Sequence, residues 1–210
     1  MRRRRPFCVV LLGPDGSGKT TVATRLAEWS ELPFDRRRVV RWSLNVLPPF
    51  ENVFGRFIMW WERRHPTPPS NVASAALPAW QSFIVVAWHA IDMGLSRLAL
   101  RRKKTEDLLI FDRSYFDFHY LYGHRALPRR VVRWLELLVP QPDLMLFLQR
   151  DPALIQRDKP ELLHTEIRRQ QAIIEDLVST HAPSERIALE GIDAVVARAA
   201  ELIRRHVEAA

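Results

Sequence analysis

Residues 13–20 read Gly-Pro-Asp-Gly-Ser-Gly-Lys-Thr, the G-x-x-x-x-G-K-[ST] or Walker A pattern, and nothing else in the chain constrains the fold as strongly. The octapeptide follows an unbroken β-branched and aliphatic run, Phe7–Leu12. It precedes a stretch in which Val22, Ala23, Leu26 and Ala27 share one helical face. At average glycine usage the pattern arises by chance about once in a hundred chains of this length, and the strand-then-helix context lowers that further. The plainer alternative is a glycine-rich turn that caps a helix. As a phosphate loop, the glycines let backbone N–H groups turn inward around phosphate oxygens, and the helix N-terminus adds positive partial charge. Lys19 then reaches the β and γ phosphates of a nucleotide, and the Thr20 hydroxyl can ligate Mg²⁺. The expected nucleotide-binding set is Gly13, Asp15, Gly16, Ser17, Gly18, Lys19, Thr20 and Thr21.

The rest of the chain repeats this alternation. Apolar runs at 107–111, 143–148 and 186–189, with a weaker one at 39–42, read as strands buried on both faces. Helical periods lie between them: Val131, Val132, Leu135 and Leu138 behind Pro128, then Leu163, Ile167, Ile174 and Leu177, then Ile192 to Ile203. Strands alternating with such helices predict βαβ units and a parallel sheet covered on both faces, in one α/β domain over about residues 7–208. Residues 43–80 break the rhythm with six prolines and three tryptophans, which predicts a flap or an insertion with short helices of its own.

A phosphate loop needs a second anion at the metal, usually at the end of a neighbouring strand. Asp112 closes the run Leu108–Phe111 and fits that place, although a strand-terminal Asp can also serve only as a helix cap. Transfer of a phosphoryl group requires cations that close over the spreading charge. Arg150, Arg157 and Lys159 cluster after the fourth strand and suggest a short lid near 150–160; a solvated charged face is the alternative. Asp92 falls inside the apolar stretch Val85–Leu95, where a lone carboxylate is costly, so it needs a partner: His89, Arg97 or a bound acceptor. Tyr115, Phe116, His119 and Tyr120 follow Asp112 and could line the same pocket, with core packing the competing role for Phe116.

Gly13–Thr21, Phe111-Asp-Arg-Ser114, Val139–Leu148, Asp151-Pro152 and the helix holding Glu166 and Arg169 together resemble the thymidylate kinase family of P-loop kinases. Arg41–Pro49 and Asp92 look like the thymidylate-kinase-like proteins found with bacterial surface-polysaccharide genes. The resemblance runs from about residue 7 to 205, and its sharp parts are the P-loop and the Asp-Arg-Ser element. It implies a P-loop NTPase fold with a five-stranded parallel sheet in order 2-3-1-4-5 and helices on both faces. It also implies transfer of the ATP γ-phosphate to a nucleoside monophosphate or related small phosphorylated acceptor. Thr20 and Asp112 would hold Mg²⁺, Arg113 would contact acceptor phosphate, and Arg157, then Lys159, would be the lid cation. Lys19, Asp112, Arg113 and Arg157 form the expected catalytic set; Arg41, Asp92, Arg113 and Tyr115 are the expected acceptor contacts. Where thymidylate kinases carry an acidic, proline-containing motif after the second strand and an Asp-Arg pair in the central helix, this chain has Arg41–Asn45 and Asp92-Met93. The groups that would read thymine and its sugar are not evident.

With 32 Lys and Arg against 24 Asp and Glu, the net charge of +8 favours an anionic partner. The arginine runs at 2–5, 36–38 and 101–104 (the last ending in two lysines) lack interleaved aromatics, which argues for solvated charge over specific nucleic-acid binding. Peripheral contact with an anionic membrane face and a homodimer are both compatible with this reading. The apolar run after MRRRRP is too short for a signal peptide, and Gln81, His89, Asp92 and Arg97 argue against a membrane span at 80–100. A single Cys fits a reducing, cytoplasmic setting. The competing classes are an NTP hydrolase or switch, and a non-catalytic ATP-binding subunit of polysaccharide assembly.

Overall fold

In the computed structural model, Phe7–Leu12 forms β1, with every residue except Cys8 buried. The structure describes residues 6–41, 47, 77–102, 107–121, 126–181, 183–188 and 191–209. The insertion expected at 43–80 lies almost wholly outside these residues, as does the arginine run at 2–5. β1 is buried because it is the centre of the sheet. It pairs in parallel with β3 (Asp107–Arg113) on one side and β4 (Leu144–Gln149) on the other. β2 (Arg36–Arg41) pairs with β3, and β5 (Ser184–Ala188) pairs with β4, so the order is β2-β3-β1-β4-β5 with all pairs parallel. That is the order the family resemblance implied.

The period-two alternation of the strands divides the core into two layers. Val10, Leu12, Leu109, Phe111, Met145 and Phe147 face one way. They pack on α2 (Ala79–Arg102), α3 (Arg129–Glu136) and α5 (His164–Thr180) through Val86, Met93, Val132, Leu135, Ile174 and Leu177. Val9, Leu11, Leu108, Ile110, Leu144 and Leu146 face α1 (Lys19–Glu28) and α6 (Ile192–Glu208) through Val22, Leu26, Val195, Leu202 and Ile203. A short α4 (Pro152–Asp158) follows β4. Each aliphatic side chain so covered contributes about 1.5–3 kcal/mol, which makes β1 the most over-determined element and a fixed base for the loop that leaves it.

Three elements differ from the sequence expectation. β2 begins at Arg36, so the 36–38 arginines belong to a strand instead of a solvated connection. An edge strand tolerates them because one flank is open, and Arg37 is put to use: Nε donates to Ala27 O at 3.2 Å and Nη1 to Leu32 O and Phe34 O at 3.3 Å, tying α1 to β2. Leu138 lies beyond the end of α3 and is 50% exposed, so it is not part of that helix's core face. Its carbonyl instead abuts α2, where a Cβ on Gly94 would lie 2.9 Å from Leu138 O. Leu163 is the residue before α5 and is exposed.

Glu136 closes α3 and is 7% exposed, yet no apolar pattern predicts it there. It accepts from His119 Nε2 at 2.8 Å and from His181 Nε2 at 2.6 Å, which pins the segment after β3 and the end of α5 to α3. Burial alone would raise its carboxyl, but the two imidazoles outweigh burial and hold it at about 2, against an ordinary 4.5. The hydrogen bond to Glu136 raises His181 above its ordinary 6.5. The linked stability has two signs. The Glu136 contribution is complete above pH 4.5 and is lost as pH falls toward 2. The His181 contribution is complete below pH 6.5 and is lost as pH rises through its raised value. The melting temperature therefore peaks between these two ranges, and Glu136→Gln is expected to flatten both slopes; an unchanged pH profile in that variant would count against the triad.

Candidate active site

The loop leaving β1 is shaped by three glycines. Gly16 and Gly18 have φ of 84° and 90°, a backbone region that side chains other than glycine seldom occupy, and between them Ser17 N donates to Pro14 O at 3.1 Å, folding the loop back on itself. Gly13 is needed for a different reason: a Cβ there would lie 2.3 Å from Ser17 Oγ and 3.1 Å from Leu148 O, so only a bare backbone lets the loop close against the end of β4. α1 starts at Lys19, directly behind the left-handed Gly18.

Lys19 is 5% exposed, and its Nζ donates to Gly13 O at 2.5 Å and Pro14 O at 2.9 Å, so the ammonium lies along the inside of the loop. Burial lowers its pKa to about 8, with Asp117, Asp15 and Asp112 opposing the shift and Arg113 adding to it. Beside it, Thr20 Oγ1 donates to both oxygens of Asp112, at 3.1 Å to Oδ1 and 2.9 Å to Oδ2. Asp112 is 3% exposed and sits at the carboxyl end of β3. It occupies a register irregularity: Val40 pairs with Phe111, and Arg41 pairs with Arg113. The extra residue turns Asp112 toward the loop and lets Arg41 Nε approach Asp112 Oδ2 at 3.4 Å. A hydroxyl and a carboxylate are the hard oxygen donors that Mg²⁺ takes. Among the described residues no three His, Cys, Asp or Glu side chains group into a metal site, so a cation here would complete its shell with phosphate oxygens and water.

Arg113 follows, one quarter exposed, and its guanidinium bridges Asp15 of the loop and Asp117, the latter with Nη1 3.5 Å from Oδ1. Burial tends to raise Asp15, but Arg113 and Lys19 outweigh it and hold its carboxyl below the ordinary range. The loop, its lysine, the strand-end aspartate and the following arginine thus form one charged cluster. Sequence reasoning brought these residues to one site, and the structure puts them in contact. Asp117 was missed, although Ser114-x-x-Asp117 has the spacing of a capping box.

The cations after β4 divide. Arg150 Nη1 donates to Gly16 O at 2.7 Å, and Arg150 also pairs with Asp158. Gln171 Nε2 holds the Arg150 carbonyl at 2.6 Å. The Lys159 stem lies over the same glycine, with Cγ and Cδ each 3.5 Å from where a Gly16 Cβ would be. Arg157, the sequence choice for this role, is 72% exposed and pairs only weakly with its neighbour Asp158, at 3.4 Å. It lies in the last turn of α4, whose start at Pro152 is capped by Asp151 Oδ1 accepting from Ala153 N at 2.7 Å.

Of the expected acceptor contacts, Arg41 reaches the cluster and Tyr115 does not. The Tyr115 ring is fully buried and its hydroxyl donates to Val132 O at 2.7 Å, so it fastens the 3₁₀ turn Tyr115–His119 to α3 instead of facing a pocket. Asp92 is 2% exposed; Oδ1 accepts from the backbone N–H of Leu47 at 2.6 Å and Oδ2 is buried without a hydrogen bond. A backbone N–H thus partners Asp92 here, while the Arg97 side chain, one of the expected partners, lies outside the described residues.

No protein-family model and no curated protein sequence matches the chain. Solved structures do. A thymidylate kinase from Candida albicans superposes with a TM-score of 0.62 at 18% identity, covering 96% of this chain and 92% of its own. One from Ehrlichia chaffeensis gives 0.61 at 13% identity, covering 95% of this chain and 99% of its own. The chain has the thymidylate kinase fold. Within that fold the P-loop, Asp112 and Arg113 stand at the carboxyl ends of adjacent parallel strands, where the open edge of an α/β sheet receives ligands. Among the described residues, no helix is long and apolar enough to cross a membrane.

Proposed function

We propose that this chain is an ATP-dependent phosphotransferase that moves the γ-phosphate of Mg·ATP to a nucleoside monophosphate or a related small phosphorylated acceptor. The observation that carries the reading is the Thr20 hydroxyl resting on the buried Asp112 carboxylate beside the loop lysine, across the gap between α1 and β3. In the reaction an oxygen of the acceptor phosphate bonds to the γ phosphorus, the bond to the β–γ bridging oxygen breaks, and ADP leaves. Thr20 and Asp112 would hold the Mg²⁺, which supplies charge neutralisation at the β and γ oxygens when bound. Lys19 and backbone N–H groups of the loop at Gly16, Gly18 and the start of α1 hold the phosphates in line. Arg113 orients the acceptor phosphate, and Arg41 stands on the same side. Arg150 and Lys159 on the loop, with Arg157 at the outer end of α4, supply cations that close over the transferred group. The barrier is lowered mainly by positioning and fixed charge, with little proton transfer by side chains.

Arg113, to which the family resemblance gives the acceptor phosphate, favours an acceptor kinase over a plain hydrolase, because a hydrolase has no acceptor phosphate to hold. The test is a panel of nucleoside monophosphates, thymidine monophosphate included, and sugar phosphates, each incubated with Mg·ATP. ADP is expected to appear with one group of compounds and not without it. Hydrolysis that no compound stimulates would overturn the acceptor assignment.

A further inference from the structure

Asp117 is the most completely buried carboxylate among the described residues at 0% exposure, and capping a single 3₁₀ turn does not require that. Its Oδ2 serves the cap, accepting from Ser114 N at 2.9 Å and Ser114 Oγ at 3.3 Å. Its Oδ1 points the other way, accepting from Tyr120 Oη at 2.6 Å and lying 3.5 Å from Arg113 Nη1. Tyr120 is itself 1% exposed, and its hydroxyl also lies 3.3 Å from Gly13 O, the carbonyl that Lys19 Nζ grips at 2.5 Å. A continuous chain of polar contacts therefore runs Arg113, Asp117, Tyr120, Gly13, Lys19, in a dry interior where each link is stiff and each unpaired group is costly.

We propose that Asp117 and Tyr120 are positioning residues: a buried strut that fixes the two phosphate-facing cations, Lys19 and Arg113, relative to each other and to the first residue of the P-loop. The inference rests on the phosphotransfer reading and adds to it the means by which a cation at the start of α1 and one at the end of β3 keep one spacing. The geometry explains why a negative charge is buried here. Arg113 has two carboxylates, one on the loop and one beneath it. Asp15 is 38% exposed and can yield to a phosphate, whereas Asp117 is enclosed and cannot move away. Arg113 can thus exchange its outer partner while keeping its place.

The test compares wild type with Asp117→Asn, Tyr120→Phe and Ser114→Ala, measuring melting temperature, the Kd of Mg·ATP and Mg·ADP by calorimetry, and the ³¹P shift of the bound γ-phosphate. Tyr120→Phe is expected to weaken Mg·ATP about fivefold, the equivalent of one buried hydrogen bond, and to weaken Mg·ADP less, because the misplaced cations serve the γ-phosphate most. Asp117→Asn is expected to do the same more strongly, and both are expected to move the γ-phosphate resonance. Ser114→Ala removes only a cap contact and is expected to lower the melting temperature while leaving the ratio of the two Kd values and the resonance as in wild type. A folded Tyr120→Phe protein with wild-type Kd values and resonance overturns the strut, whatever its melting temperature; this variant decides the matter if Asp117→Asn does not fold. Wild type that binds neither nucleotide overturns the phosphotransfer reading itself, which separates that failure from failure of the strut.

Discussion

Lys19→Ala is expected to reduce transfer from Mg·ATP by about 10³-fold or more while the protein still folds. The magnitude follows from what is removed. A cation fixed at a developing charge in a water-poor site is worth roughly 10²–10³ in rate for a single donor, and a full charge that also helps bind the phosphates adds to that. The side chain is buried against the loop, its Nζ on Gly13 O and Pro14 O, so its place does not have to be found during the reaction. Folding is expected to survive because the core layers on either side of the sheet do not include Lys19. The measurement is ADP formation with the best acceptor of the panel, together with circular dichroism to follow the fold. Turnover within tenfold of wild type would refute the assignment of the loop.

Asp112→Asn is the second large effect. It retains the size of the side chain and the ability to accept from Thr20 Oγ1, but it removes the buried negative charge beside it. A neutral amide is a poor ligand for a hard dication, so the concentration of Mg²⁺ needed for half-maximal rate is expected to rise at least tenfold, and the rate at saturating Mg²⁺ to fall by about 10²-fold. Arg41, 3.4 Å from Asp112 Oδ2, loses its counter-charge, so any change in melting temperature is expected to be small; Arg41 is itself largely exposed, where ion pairs contribute little. Full activity at unchanged Mg²⁺ demand would overturn the proposed metal role of Asp112 and favour the helix-cap alternative.

Much of this was legible without coordinates. The P-loop pattern is local: its glycines act through φ and through the room a missing Cβ leaves, and both effects are fixed within a few residues, so Gly16, Gly18 and Lys19 could be read directly. Strand runs buried on both faces likewise identify themselves, because a central parallel strand has no polar side to display. What could not be read were side-chain directions over longer reach. The family resemblance favoured Arg157, then Lys159, as the lid cation, and only the folded chain shows Arg150 meeting Gly16 while Arg157 stays largely exposed. Tyr115 looked like a pocket residue and is a core one, since the 3₁₀ turn after β3 directs its ring at α3.

By itself, the sequence determined the glycine-rich loop and the parallel α/β layering, since each depends on short-range sterics or on an unbroken apolar run, and it offered Asp112 as the strand-end carboxylate. The tertiary structure alone decided which charges meet. The bulge opposite Arg41 that turns Asp112 inward, the burial of Asp117 under Arg113, and the capture of Glu136 by two histidines all join residues whose proximity depends on strand register and helix packing. Electrostatic energy falls with distance and rises with burial, and neither quantity exists for a chain until its strands have been ordered.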